Sequence, residues 1–191
     1  TIIHGLDSVS PKFGLTHRHI YKAINQNVDL PVGDALNRIE SSSIGWSYID
    51  QSQYCLPLHN LVPLRNKLIK RTVLNTVESL IGPIKGVNTH SILGYVHKPY
   101  PPIYAALADQ AGFASSLLLR GVEGGVVPSL RQKGLMISYS KGIEKDRVDI
   151  DPKTIGIRRE FRAISIPKKF ESPENRHSLA KYVAELGQSA L

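Results

Sequence analysis

Residues 91–119, SILGYVHKPYPPIYAALADQAGFASSLLL, decide the fold of this 191-residue chain. The apolar run at residues 91–96 predicts a buried strand, and a second run at residues 116–119 predicts another. Between them, residues 103–110 are apolar enough for a buried helix, which Gly112 ends. Strands that alternate with helices in this way predict a parallel or mixed sheet covered by helices.

The same alternation of strands and helices extends in both directions from this unit. Further strands are predicted at residues 2–5, 46–49, 134–139 and 161–166, and further helices at 16–24, 34–39, within 58–70, at 73–81 and at 173–186. Residues 140–153 form a polar, charged segment. We therefore expect an α/β fold, a mixed and mostly parallel sheet flanked by helices, built as a single domain over residues 1–191.

Composition limits the class of protein and suggests its partners. Hydrophobic residues make up 41% and charged residues 21%, which is typical of a globular chain. There is no run of about 18 apolar residues for a membrane helix and no secretory pattern, and the lone Cys55 excludes an internal disulfide, so a cytoplasmic protein is expected. The net charge of +8 favours polyanionic partners, although many basic proteins bind no nucleic acid.

The loop after the first predicted strand has the residue types of an anion site. Gly5 permits close backbone approach, Ser8 and Ser10 add hydroxyl donors, and Lys12 adds a positive charge. Backbone amides at such a loop favour phosphate. An ordinary turn with no ligand explains the same residues.

A basic cluster follows at Arg65, Lys67, Lys70 and Arg71. In a helix, positions 67, 70 and 71 would fall on one face. Such a face is either a contact surface for phosphates or simply a solvated face of the helix.

Four segments follow one another along the chain. The first is HGLDSVSPKFG (4–14), and the second, residues 62–83, contains VPLR, RT and LIGP. The third is GYVHKP (94–99), and the fourth is LLLRGVEG (117–124). They resemble the histidine–glycine loop and three later motifs of anthranilate phosphoribosyltransferases, which belong to glycosyltransferase family 3 with the pyrimidine nucleoside phosphorylases. The similarity is collinear from residue 1 to about residue 160. It implies the large α/β domain of the phosphoribosyltransferase and nucleoside phosphorylase type.

The resemblance also implies segments outside this chain. Family members carry a small N-terminal helical domain, through which they form homodimers, and a glycine-rich pyrophosphate loop before the histidine–glycine loop. They also continue past the position of Leu191. We therefore expect a fragment that is incomplete at both ends.

The resemblance assigns binding residues one by one. His4, Gly5, Ser8, Ser10 and Lys12 match the phosphate-binding loop of the family. Arg65 matches the arginine that contacts anthranilate, and Lys67, Lys70 and Arg71 extend the basic surface beside it.

Other positions depart from the family. The asparagine and arginine that follow His-Gly in the enzymes are Leu6 and Asp7 here, and the Asp-Glu pair that holds magnesium is Val126 and Val127. Valine has no oxygen to offer a hard cation. We therefore assign no catalytic residue and no metal ligand.

Three hypotheses remain open. The first is a binding protein that holds nucleic acid or another phosphate-rich ligand in a basic groove, without a cofactor and with impaired metal-dependent catalysis. Its support includes the stretch from Arg71 to Pro83, whose extra three residues resemble a divergent branch of the family thought to bind nucleic acid. The second is a phosphoribosyl or glycosyl transferase that uses magnesium and phosphoribosyl pyrophosphate with an acceptor other than anthranilate. The third is a structural subunit.

Overall fold

The structure is a computed structural model in which residues 1–7, 14–163 and 175–189 are described. The chain forms two compact units. The first comprises Thr1–Ser79 and the described part of Ile166–Leu191, and the second comprises the described part of Leu80–Ser165. The expectation of a single domain over residues 1–191 stays a prediction.

The first unit is built around a short parallel strand pair. Its elements are β1 (Ile2–Gly5), α1 (His17–Ala23), α2 (Val32–Glu40), β2 (Ser47–Asp50), α3 (Gln51–Tyr54), α4 (Leu56–His59), α5 (Val62–Leu68), α6 (Leu74–Leu80) and α8 (Arg176–Ser189). β1 and β2 run parallel, with Gly5 opposite Asp50. Asp50 then caps α3 by accepting a hydrogen bond from the backbone N–H of Ser52, so the strand passes directly into the helix.

Strand β2 is the centre of the packing in this unit. All four of its residues are buried, and Ile49 is fully enclosed. Ala35 on α2 is also fully buried, and its small side chain lets the helix approach the strand closely. On the last helix, α8, Leu179, Ala180 and Ala184 are buried and α1 is its main neighbour.

The second unit is a four-stranded mixed sheet with one main helix. Its strands are β3 (His90–Gly94), β4 (Ser115–Leu119), β5 (Gly134–Ser140) and β6 (Ile143–Ile150), its helix is α7 (Tyr100–Gln110), and short 3-10 turns occur at Val122–Gly124 and Pro152–Ile155. The order is β3-β4-β5-β6, with β3 and β4 parallel and both later pairs antiparallel. α7 joins β3 to β4, so the predicted strand–helix–strand unit is confirmed.

The core of the second unit lies between α7 and the sheet. Ala105 and Ala108, three residues apart on α7, are buried against Leu118 and Ile137 of the sheet. Two alanines at this spacing bring the helix backbone close to the strands. Phe113, just after the helix, completes the cluster.

The mixed α/β class with helices against the sheet is confirmed, and the main difference concerns the polar segment 140–153. It contains β6, an antiparallel strand in which nearly every residue is exposed. Because the strand has no buried face, its sequence shows no regular pattern of apolar residues. No strand is present at residues 161–163, and the rest of the strand predicted at 161–166 lies outside the described residues. None of the described helices combines the length and apolarity needed to cross a membrane.

The turn after β4 folds tightly against the end of β3. A Cβ atom at Gly94 would lie 2.2 Å from the carbonyl oxygen of Gly124, and one at Gly121 would lie 2.0 Å from that of Gly125. These are backbone atoms, which cannot move aside as a flexible side chain could. Glycine at these two positions is therefore required by the close approach of two chain segments.

We expect Gly94→Ala to lower the free energy of unfolding by about 1–3 kcal/mol, because the new methyl group overlaps main-chain atoms. Urea unfolding monitored by circular dichroism measures this. Gly86→Ala is the matched control, since nothing lies within 4 Å of a Cβ there. Equal stability of the two variants would contradict the close packing of this turn.

Candidate functional site

A cluster of polar side chains lies at the carboxyl ends of β1 and β2, where ligand sites of parallel sheets are usually found. It consists of His4 on β1, Gln51 and Tyr54 on α3, Arg65 on α5 and Glu78 on α6. We call these five residues the Glu78 cluster. They come from four separate elements, so only the folded first unit assembles them.

Arg65 is directed into the protein and engaged by Glu78. Its residue surface is only 2% exposed, and its two terminal nitrogens donate to the two carboxylate oxygens of Glu78, with 2.9 Å between Nη2 and Oε2. Gln51, fully buried, donates from Nε2 to Oε1 of the same carboxylate at 2.7 Å. A buried guanidinium requires such a paired partner. The arginine charge is therefore neutralised within the fold.

His4 and Tyr54 form the other half of the cluster. Nδ1 of His4 lies 2.9 Å from the Tyr54 hydroxyl, and the two rings meet edge to face. Burial lowers the pKa of His4, and the charge of Glu78 opposes this in part. Burial also raises the pKa of Tyr54, with Glu78 acting in the same direction. A neutral imidazole and a protonated phenol can form a hydrogen bond with each other. Neither carries a positive charge that could bind a phosphate.

A second network holds the turn from β2 to α3. The Asp50 carboxylate is buried and lies 3.0 Å from Nη1 of Arg18, 2.7 Å from the Ser52 hydroxyl and 3.2 Å from the Tyr48 hydroxyl. Burial, followed by the charge of Asp50, raises the pKa of Tyr48. With its partners all internal, Asp50 fixes the backbone from which Gln51 and Tyr54 project.

The predicted site residues fall into three groups. His4, the neighbouring Gly5 and Arg65 lie at or next to the Glu78 cluster. Exposed positions are occupied by Lys67, Lys70 and Arg71. Ser8, Ser10 and Lys12 lie outside the described residues. Their roles in binding stay predictions.

The expected helical face of Lys67, Lys70 and Arg71 is wrong. α5 ends at Leu68, and Ile69 adopts a left-handed conformation with φ of 50°. That conformation is unfavourable for a β-branched residue, and it ends the right-handed helix. Lys70 and Arg71 therefore follow the helix as an exposed, non-helical segment.

The turn after β4 does not fit the magnesium site that the resemblance implies. Val126 and Val127 are 44% and 66% exposed and offer no oxygen ligand. Glu123 is the one acidic side chain in residues 121–128. Within the described ranges, no three His, Cys, Asp or Glu side chains are grouped so as to hold a metal ion.

No clear signal in the sequence pointed to Glu78, Gln51 or Tyr54. Glu78 is the one acidic residue between Arg65 and Pro83, so its isolation on an otherwise neutral helix is a usable clue. A lone carboxylate on a partly apolar helix near a basic segment suggests an internal ion pair. Gln51 and Tyr54 carry no comparable signal, because neutral polar residues occur in most loops.

Comparisons with curated proteins find relatives at low identity. An uncharacterized protein of Aquifex aeolicus is 32% identical over 111 residues, which are 58% of this chain and 34% of that protein. The anthranilate phosphoribosyltransferase of Caldivirga maquilingensis is 26% identical over 173 residues, or 90% of this chain and 49% of the enzyme, and that of Aeropyrum pernix is 24% identical over 157 residues, or 82% and 44%. The chain spans a third to a half of the length of these relatives. No protein-family profile matches it.

Solved structures support the fold. Anthranilate phosphoribosyltransferase from Saccharomyces cerevisiae, in complex with PRPP and Mg, superposes with a TM-score of 0.64 at 15% identity, covering 97% of this chain and 47% of that one. At this identity the match concerns the fold. The chain thus resembles these enzymes in sequence at low identity over most of its length, and it resembles them in fold.

Glu78→Ala should lower the free energy of unfolding by about 3–5 kcal/mol, because it leaves the buried Arg65 charge without a partner. Urea unfolding provides the measurement, with Glu40→Ala, an exposed acid on α2, as control. The double substitution Arg65→Met with Glu78→Leu should recover most of the loss. A Glu78→Ala variant as stable as the control would contradict the buried pair.

The lowered pKa of His4 predicts a pH dependence of stability. Unfolded histidine binds a proton near pH 6.5, whereas native His4 resists it, so stability falls as the pH falls below that value. His4→Gln should make the decline from pH 7 to 5 shallower in urea unfolding, and the remaining slope includes His17, whose pKa burial also lowers. His177→Gln, at an exposed position on α8, is the control. An unchanged slope in His4→Gln would refute this prediction.

Proposed function

We propose that this chain, whose sequence and fold resemble those of anthranilate phosphoribosyltransferases, binds phosphate-rich polyanions, nucleic acid in particular, through the basic segment that follows α5. In this proposal the metal-dependent transfer reaction of the family is impaired. The observation that carries the proposal is the contrast between Arg65, which Glu78 engages inside the fold, and the exposed cations that follow it, Lys67, Lys70 and Arg71.

The position of Arg65 argues against a carboxylate acceptor. By resemblance this arginine would meet the carboxylate of anthranilate, but here its terminal nitrogens already bond a carboxylate inside the protein. An acceptor would have to displace Glu78 and leave that group buried without its cation, which is costly. Recognition of anthranilate at this position is therefore unfavourable.

The neighbouring cations are placed differently. Lys67, Lys70 and Arg71 are exposed, and none of the three forms an ion pair with a residue that the structure describes. The left-handed residue Ile69 separates Lys67 from the other two, so the charges follow an irregular segment. Exposed cations of this kind contact phosphates by releasing counterions, without reading base sequence.

The turn after β4 supports the same view of catalysis. Two exposed valines stand where the family has the acidic pair, so the charge of a pyrophosphate leaving group would lack its metal counterion there. In this proposal the transfer reaction is impaired, but the chain still binds phosphate groups.

A transferase with a different acceptor is the second candidate. His4 lies at the end of β1, next to Gly5, and by resemblance these two residues match the phosphate-binding loop of the family. Calorimetry with phosphoribosyl pyrophosphate and Mg²⁺ discriminates between the candidates. Measurable heat that requires both compounds would favour the transferase.

A labelled single-stranded oligonucleotide of about 20 nucleotides should bind at 50 mM salt and much less at 200 mM. The triple variant Lys67→Gln, Lys70→Gln, Arg71→Gln should weaken binding about tenfold at low salt. It should also reduce the slope of log K against log salt by about 2, as expected for three lost phosphate contacts. Fluorescence anisotropy measures both quantities.

The matched control is the triple variant Lys145→Gln, Arg158→Gln, Arg159→Gln, which removes the same charge from exposed positions of the second unit. It should retain most of the affinity. Equal weakening by the two triple variants would indicate a general charge effect and overturn the assignment to this segment. No binding of the oligonucleotide at low salt would overturn the proposal as a whole.

A further inference from the structure

A cleft of about 620 Å³ opens in the second unit, between the start of α7 and strands β5 and β6. This volume is within the usual range for small-molecule sites, roughly 300–1,000 Å³. The polar groups that line it are Tyr95, Lys98, Arg120, Tyr139, Glu144 and Arg147. Every one of them belongs to the second unit, whereas the Glu78 cluster belongs to the first.

Arg147 forms a bidentate ion pair with Glu144 in this cleft. Its Nε and Nη2 atoms each lie 3.0 Å from an oxygen of Glu144, and the buried Tyr139 donates its hydroxyl hydrogen to Glu144 at 3.2 Å. A register shift between Ser138 and Tyr139 brings Tyr139 opposite Glu144 across the two strands. Bulges of this kind re-aim side chains beside functional sites. The third nitrogen, Nη1, makes none of these bonds.

Two further cations are not neutralised. Lys98 and Arg120 are exposed at the cleft, and neither forms an ion pair with a residue in the described ranges. Burial raises the pKa of Tyr95, and the guanidinium charges of Arg120 and Arg147, which line the same cleft, partly oppose this. Three cations and one carboxylate leave two positive charges in the cleft.

The remaining lining is apolar. Leu135 and Ile137 of β5 contribute side chains, and Pro101 and Pro102 form the wall at the start of α7. Because proline has no N–H, these two residues remove amide donors that a helix start would otherwise present. An anion here would be held by side chains, with apolar surface beside it.

We propose that this cleft binds a small phosphate monoester whose organic part carries a ring. A phosphate monoester has a charge of about −1.5 to −2 at neutral pH, which matches the excess of two positive charges better than a single carboxylate does. Arg120, Arg147 and Lys98 hold the phosphate, and the ring lies on Leu135 and Pro102. This site is additional to the proposed polyanion surface and does not depend on it.

Calorimetry of the full chain with phenyl phosphate, inorganic phosphate and benzoate tests the site. Phenyl phosphate should bind at least about tenfold more tightly than either other compound, since only it offers both the double charge and the ring. Arg120→Gln and Arg147→Gln should each weaken phenyl phosphate binding about tenfold. Arg120 is exposed, so its substitution leaves the fold intact.

Lys145→Gln is the matched control on β6, because Lys145 lies between Glu144 and Arg147 in sequence but does not line the cleft. It should alter binding less than twofold. The proposal is overturned if phenyl phosphate fails to bind, if it binds no better than inorganic phosphate, or if Lys145→Gln weakens it as much as Arg120→Gln does.

The two proposals can fail separately. The Lys67, Lys70 and Arg71 triple variant should bind phenyl phosphate normally, and Arg120→Gln should bind the oligonucleotide normally. Displacement of phenyl phosphate by the oligonucleotide would show that the cleft is part of a nucleic-acid surface and would overturn a separate small-molecule site.

Discussion

An arginine can be withdrawn from water only if its charge is matched inside the protein, and Glu78 provides that match for Arg65. The pair links α5 to α6, and the hydrogen bond from Gln51 extends the linkage to α3, directly after the central strand β2. Three short helices, each too short to be stable alone, thus depend on one internal charge pair. The same pairing occupies the Arg65 guanidinium, so any ligand for this group would first have to displace the Glu78 carboxylate.

In each unit, the residues that set it apart from the enzymes lie where parallel strands end, but the residue types at the two places differ. In the first unit, the ends of β1 and β2 lead to a buried cluster of neutral and mutually neutralised groups. In the second unit, β4 leads into a glycine turn so close to β3 that no side chain fits at Gly94 or Gly121, with exposed valines beyond. The fold of the related enzymes is retained in this chain, while the charges expected at these ends are paired, replaced or displaced to the surface. Shared architecture and altered site chemistry are compatible, since function depends on the residues placed on a fold.

The strand–helix–strand unit at residues 91–119 was predictable because burial on both sides forces continuous apolar runs. β6 was not, because an edge strand in water needs no apolar face, and its charged sequence looks the same as a loop. The conformation of the basic segment could not be predicted, for a related reason. Local spacing could not reveal that Arg65 finds a partner thirteen residues away by sequence, nor that Ile69 takes a left-handed conformation that ends α5. The periodicity of apolar residues reveals neither an ion pair between distant residues nor a strained backbone conformation.

The exposed character of β6 has a consequence for the behaviour of the chain in solution. Among the described strands, β6 lies at the border of its sheet, and one side of its backbone faces away from β5. Such a border can recruit a strand from another molecule and begin aggregation. The run Glu144, Lys145, Asp146, Arg147 places alternating ionic groups along it, and an incoming strand would have to strip water from them. These charged residues are the reason why the sequence pattern did not predict the strand. They also help to keep the protein dispersed at high concentration.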